Sequence, residues 1–319
     1  MAGETVAPLA VVGNLNVDQW VRTVERFPAW DEELLVESVR LELAGTAGYA
    51  IEAARGLGLE TVVVSTLGDD AFGRTVLDAL SALGAPTIGI EVLPGYETPV
   101  GMVFVGPDGR RSIMSTLGAH AEMAVAVAER HDGAVARCPE VLLCGAYLLP
   151  RFTPADLLPY ARKLRARGQV VAFDPSWDPS GWGQMTREDT LTLLPAVDIY
   201  LPNDEELVRL TGAATWEAAL SAVEGLAGET VVKRGADGAV YASGADRVAV
   251  GAFPLNAVNT IGAGDAFDVG YLFARRQGWE PERRLRFACA LAGMVVAQPD
   301  RRAYPTAGQV EAFMRGGSA

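Results

Sequence analysis

The sequence predicts an α/β protein: a three-layer α/β/α sandwich on a parallel sheet, with a small β-sheet lid beside it. Three observations predict it. Short continuous apolar runs alternate with helical patterns, two stretches break that alternation, and a glycine turn precedes a helical pattern that starts at Ala266. The runs at 9–12, 61–66, 141–144, 169–173, 197–200 and 230–232 are apolar at successive positions, as strands covered on both faces must be. Helical patterns at 47–57, 72–83, 154–167, 205–210 and 216–226 lie between them, which argues a parallel sheet with helices on both sides. The breaking stretches, about 17–43 and 98–116, read as half-buried antiparallel strands, the second a hairpin turning at Pro107, Asp108 and Gly109. They are assigned to the lid, with Trp20, Phe27 and Trp30 on or near it. Such a sheet leaves an apolar face to cover, so a homodimer through the lid is expected. The whole of 1–319 reads as one domain.

The chain has 319 residues, half of them hydrophobic, which excludes a disordered protein. Its net charge of −13 disfavours nucleic acid and anionic membranes as partners, while leaving room for a local anion pocket. No signal peptide or membrane span is expected. Cys138, Cys144 and Cys289 lack metal-type spacing and read as small core residues in a reducing, cytoplasmic setting.

The sharpest chemical signal is Asn259-Thr260-Ile261-Gly262-Ala263-Gly264-Asp265, followed by a helical pattern from Ala266 to about Arg276. Gly262 and Gly264 let the backbone turn its N–H groups towards one point, and the helix start adds its positive end. Asp265 beside that point can accept a proton from an alcohol. Phosphoryl transfer needs this combination: amides that stabilise the moving group and a carboxylate that prepares the nucleophile. By itself the run reads also as a plain turn with Asp265 as a cap. No Walker loop or protein-kinase motif is present, so another kinase fold is required.

These residues resemble the ribokinase-like, or PfkB, carbohydrate kinases, whose second signature has the form Asp-Thr-x-Gly-Ala-Gly-Asp. The resemblance continues along the chain. Gly13-Asn14-Leu15-Asn16-Val17-Asp18 is similar to the opening motif whose Asp contacts sugar hydroxyls. Ala44-Gly45-Thr46-Ala47-Gly48-Tyr49 is similar to the Gly-Gly-x-x-x-Asn substrate segment, and Gly68-Asp69-Asp70 to the next turn. Pro202-Asn203-Asp204-Glu205-Glu206 resembles the Asn-x-x-Glu motif that organises magnesium and phosphate. Lys233-Arg234-Gly235-Ala236-Asp237-Gly238 resembles the nucleotide-binding strand and turn.

The resemblance implies an ATP-dependent kinase that phosphorylates a hydroxyl of a sugar or sugar-like substrate. Asp265 would be the general base, with the Gly262, Ala263 and Gly264 amides as anion hole. Asn16, Asp18, Gly45 and Tyr49 would bind the acceptor; Asn203, Glu206, Lys233, Gly235 and Gly238 would bind the nucleotide. Magnesium would be held by Glu206 through water, since it keeps most of its hydration. Asn203 and Glu206, three apart at a helix start, read equally as a capping box. Lys233 reads equally as a strand end at the solvent boundary. Asp174, past a strand end, is a further candidate, and His120 reads as a partly exposed structural residue.

Departures from the family pattern touch the substrate more than the reaction. Tyr49 stands where an Asn is usual, Ala44 replaces a glycine, and Ser176 replaces the Asn common after Asp-Pro. Asn259 replaces the signature's leading Asp, which weakens any potassium site and makes K+ a doubtful cofactor. A nucleoside acceptor, with Tyr49 and Trp20 stacking on a base, is the second reading. A non-catalytic sugar- or nucleotide-binding regulator is the third.

Overall fold

The computed structural model describes residues 7–107, 111–298 and 304–316. The chain starts with β1 (Leu9–Gly13), leaves for β2 (Asn16–Arg22) and β3 (Ser38–Ala44), and returns through α1 (Gly45–Gly56) to β4 (Thr61–Gly68). After α2 (Ala71–Ala82) come β5 (Ile90–Leu93), β6 (Val100–Val105) and β7 (Arg111–Ser115). Short helices α3 (Val125–Arg130) and α4 (Asp132–Val135) lead to β8 (Glu140–Cys144), and α5 (Pro154–Ala166) leads to β9 (Val170–Asp174). Next are α6 (Gln184–Leu193), β10 (Ile199–Tyr200), α7 (Asp204–Thr211), α8 (Trp216–Val223) and β11 (Glu229–Lys233). The hairpin β12 (Ala239–Ser243) and β13 (Asp246–Val250) precedes α9 (Ala263–Arg276), α10 (Pro281–Val296) and α11 (Ala307–Met314).

A nine-stranded sheet runs in the order β13-β12-β11-β10-β9-β8-β1-β4-β5. The strands from β11 to β5 are parallel; β12 and β13 add an antiparallel edge that the apolar runs do not announce. Helices cover both faces. Leu9 and Val11 of β1 join one core with α1, α9 and α10, while Ala10 and Val12 join the other with α5, α7 and α8. This double burial is why β1, β4 and β8 are buried at every position and mostly apolar. Strand β1 has β4 on one side and β8 on the other, so the order of the chain reverses there. Open α/β sheets bind ligands at the C-terminal strand ends beside such a reversal.

A second, four-stranded sheet runs β3-β2-β6-β7. The antiparallel expectation for this region needs correction, because β2 pairs with β6 in parallel. The chain between them passes through α1, β4 and α2, and that crossover brings β6 back in the direction of β2. Phe27 packs edge-on against Phe104, with ring centroids 5.1 Å apart, whereas Trp30 is 99% exposed in the connection. The hairpin-turn residues Asp108 and Gly109 lie outside the described residues.

Candidate active site

Helix α9 begins earlier than the apolar pattern suggests. Gly262 takes a left-handed conformation, φ 75°, as its N-cap, and Ala263, Gly264 and Asp265 form the first turn. That φ disfavours a side chain. First-turn N–H groups have no acceptor within the helix; Ala263 N turns back to Thr260 O at 3.4 Å, inside the same loop. Asp265 lies close enough to Cys144, at the end of β8, for its charge to push the thiol up, although burial is the larger cause. The predicted base and anion hole thus stand at the strand ends beside the reversal.

The predicted acceptor residues lie together where β1 gives way to the second sheet. Asp18 and Asn16 belong to β2, and Gly45 and Tyr49 to α1. Asn16 Nδ2 donates to Asp18 Oδ1 at 2.9 Å, and the Tyr49 hydroxyl donates to Asp18 Oδ2 at 2.5 Å. A Cβ on Gly45, φ 83°, would stand 2.7 Å from Asn16 Oδ1, so only glycine permits this approach. The Tyr49 ring is buried with Trp20, Val103 and Ile261, which joins the second sheet to the loop ahead of the glycine turn. Arg111 of β7 makes a second connection, donating to Thr260 Oγ1.

The predicted nucleotide side is built from α7 and β11. Asn203 caps α7 in a capping box: its Oδ1 accepts from Glu206 N, and Glu206 Oε2 accepts from Asn203 N, each at 2.8 Å. Burial and the neighbouring Asp174 charge push Glu206 up to about 7, against the pull of Lys233. Asn203 also bridges to Lys233 in parallel register. Gly235 and Gly238 bound the short turn between β11 and β12, both at positive φ. The Lys233 ammonium is not on open surface. It donates to Asp174 Oδ2 at 3.0 Å and to both oxygens of Asp268, at 3.0 and 3.1 Å.

Two placements differ from the sequence reading. His120 is buried, not partly exposed: its Nε2 lies 3.2 Å from Leu15 N and 3.0 Å from Leu15 O, and burial pushes it down to about 4. Asp268 was missed. The available signal is a carboxylate inside the apolar run Ala266–Phe273, since a lone charge there has to find a partner. Asn14 was quoted in its motif without a role; its Oδ1 accepts from the Thr46 hydroxyl and from Thr46 N, holding the start of α1 against the end of β1.

Asp174, Glu206 and Asp268 cluster about a single ammonium, and burial raises both Glu206 and Asp268. Carboxylates in that excess fit a hydrated divalent cation. Among the described residues, no group of three or more side chains is placed to ligate a metal directly, so the fit is one through water.

A glycine turn, a helix start and a carboxylate thus stand at the ends of the parallel strands, beside a second sheet carrying polar side chains. The chain belongs to the pfkB family carbohydrate kinases, whose model matches residues 7–307. It is 31% identical over 315 residues to the ribokinase of Arabidopsis thaliana, covering 92% of this chain and 79% of that one. It is 27% identical over 304 residues to the ATP-dependent ribose-1-phosphate kinase of Halopiger xanaduensis, covering 95% and 96% of the two chains. A putative ribokinase II from E. coli, solved with ATP and Mg2+, superposes with a TM-score of 0.83 at 23% identity, covering 98% of this chain and 100% of that one. Among the described residues no helix is long and apolar enough to cross a membrane.

Proposed function

We propose that this carbohydrate kinase transfers the γ-phosphoryl group of ATP to a hydroxyl of a small sugar or sugar-like substrate, with Asp265 as general base. The observation that carries the reading is the position of Asp265 in the first turn of α9, behind left-handed Gly262, at the strand ends beside the chain reversal. Asp18, Asn16 and Tyr49 would orient the acceptor from the second sheet and α1. Asp265 would take the hydroxyl proton as the oxygen attacks, while the Gly262, Ala263 and Gly264 amides stabilise charge on the transferring group. The turn at Gly235–Gly238 and the cap at Asn203 would receive the nucleotide. Magnesium, when bound, neutralises charge on the nucleotide phosphates, with Glu206 reaching it through water.

The second sheet would act as a lid. Its Arg111 already reaches Thr260, so the sheet sits where closure would exclude water, a competing acceptor. Trp20 is 2% exposed and Tyr49 5%, which favours a small acceptor over a nucleoside stacked on these rings. Asn259 Oδ1 accepts from Ile261 N at 3.1 Å and so braces its own loop, in keeping with turnover that needs no potassium. The buried free thiols suit a cytoplasmic setting.

The test is phosphate transfer from Mg-ATP across sugars, sugar phosphates, sugar acids and nucleosides, with and without potassium. Transfer to one sugar class, unchanged by potassium, is expected. Transfer to nucleosides alone would displace the acceptor reading, and ATP binding without transfer to any acceptor would favour a regulator.

A further inference from the structure

Asp268 follows Asp265 by three residues on α9, one turn into the helix, and is 1% exposed. Both oxygens of its carboxylate accept from Lys233, the same ammonium reaches Asp174, and Asp268 and Asp174 also share a side-chain hydrogen bond. Lys233 closes β11, Asp174 closes β9 and Asp268 sits on α9, so one nitrogen ties two strand ends to the helix that bears the base. The ammonium also lies beside the glycine turn. A Cβ added to Gly264 would stand 3.5 Å from Lys233 Nζ. Positive potential at a helix start stabilises anions, and a fixed cation at its side adds to that potential.

We propose that Asp268 is a positioning residue for phosphoryl transfer: it holds the Lys233 ammonium against the Gly262–Gly264 turn and fixes the first turn of α9, with Asp265, to the ends of β9 and β11. The inference rests on the phosphoryl-transfer reading above. It differs from a purely structural ion pair in what it predicts, because an ion pair that only stabilises the fold changes the melting temperature and leaves turnover of the folded protein alone.

The test compares kcat, both KM values and melting temperature for Asp268→Ala, Asp268→Asn and Lys233→Gln, alone and as Lys233→Gln/Asp268→Ala. A misplaced base and a weakened anion hole should cost Asp268→Ala on the order of 10²-fold in kcat. The acceptor KM should move less than about threefold, since Asp18, Asn16 and Tyr49 are untouched, and the KM for ATP should change less than kcat does. Asp268→Asn keeps an oxygen for the ammonium and should recover most of kcat. The double variant should be no slower than the slower single one, because both act through one unit. A folded Asp268→Ala with wild-type kcat, a loss confined to KM, or independent losses in the double variant would overturn the proposal. Should Asp268→Ala melt below the assay temperature, Lys233→Gln carries the test, as it removes the charge and keeps a donor for both carboxylates; unchanged kcat there would equally overturn it. A wild type silent on every acceptor removes the underlying reading, whereas an active wild type with unaffected Asp268 variants removes this inference alone.

Discussion

At the strand ends of the nine-stranded sheet, Asp174, Lys233 and Asp268 are all buried and bonded to one another. On the four-stranded sheet, Val39 and Leu41 of β3 and Met114 of β7 stand 51%, 45% and 50% exposed on one side of the sheet. Its other side carries Asp18, Trp20 and Val103, which are 7%, 2% and 0% exposed. The first region holds its charges in bonds to one another. The second buries Asp18, Trp20 and Val103 on one face and leaves an apolar patch at Val39, Leu41 and Met114 uncovered on the other. On the proposed reading, reaction chemistry sits on the packed and preorganised frame, and acceptor choice on a sheet with little core of its own.

Breaking the joint between the regions should have the largest effect. His120 bonds to Leu15, where the chain passes from β1 to β2, and burial holds its pKa at about 4 instead of the usual 6.5. The unfolded chain therefore takes up that proton first as the pH falls. The stability this neutral imidazole contributes is present above pH 6.5 and lost progressively down to about 4. The loss should be on the order of 3 kcal/mol. Urea midpoints across that range, compared with His120→Gln, check it; identical pH profiles for the two proteins would refute it.

Tyr49→Phe sharpens the contrast from the acceptor side. It deletes the hydroxyl that donates to Asp18 and leaves the ring in its apolar cluster. A buried carboxylate that loses one donor should raise the acceptor KM about tenfold and lower the melting temperature by a few degrees, leaving the KM for ATP near wild type. Equal effects on both substrates would place Tyr49 in the frame instead of the acceptor site.

The smallest effect on the monomer belongs to the uncovered face. If that face seats a second copy of this chain, Val39→Ser with Leu41→Ser should shift light scattering towards monomer. Monomer stability should change by no more than about 0.5 kcal/mol per substitution. A wild type that is already monomeric at working concentration would remove the homodimer.

Much of the frame was legible because the signals were local. Apolar strands of β1, β4 and β8 must be covered on both sides, and the glycine turn at 262–264 has to bend ahead of a helix. The Asn203–Glu206 capping box follows from spacing alone. What the sequence left open depended on pairings distant along the chain. Lys233 and Asp268 are 35 residues apart, and neither declares its partner. The parallel pairing of β2 with β6 follows from a crossover through α1, β4 and α2, which no hairpin rule anticipates. Partial alternation in β12 and β13 hid an antiparallel edge beneath the expectation of an all-parallel sheet.

The central claim is that Asp265 takes the acceptor proton, and Asp265→Asn tests it most directly. Turnover with the best acceptor and ATP binding by calorimetry should be measured on the same preparation. A general base predicts a fall in kcat of about 10²-fold or more with ATP affinity retained. Near-normal kcat in that variant would contradict the account.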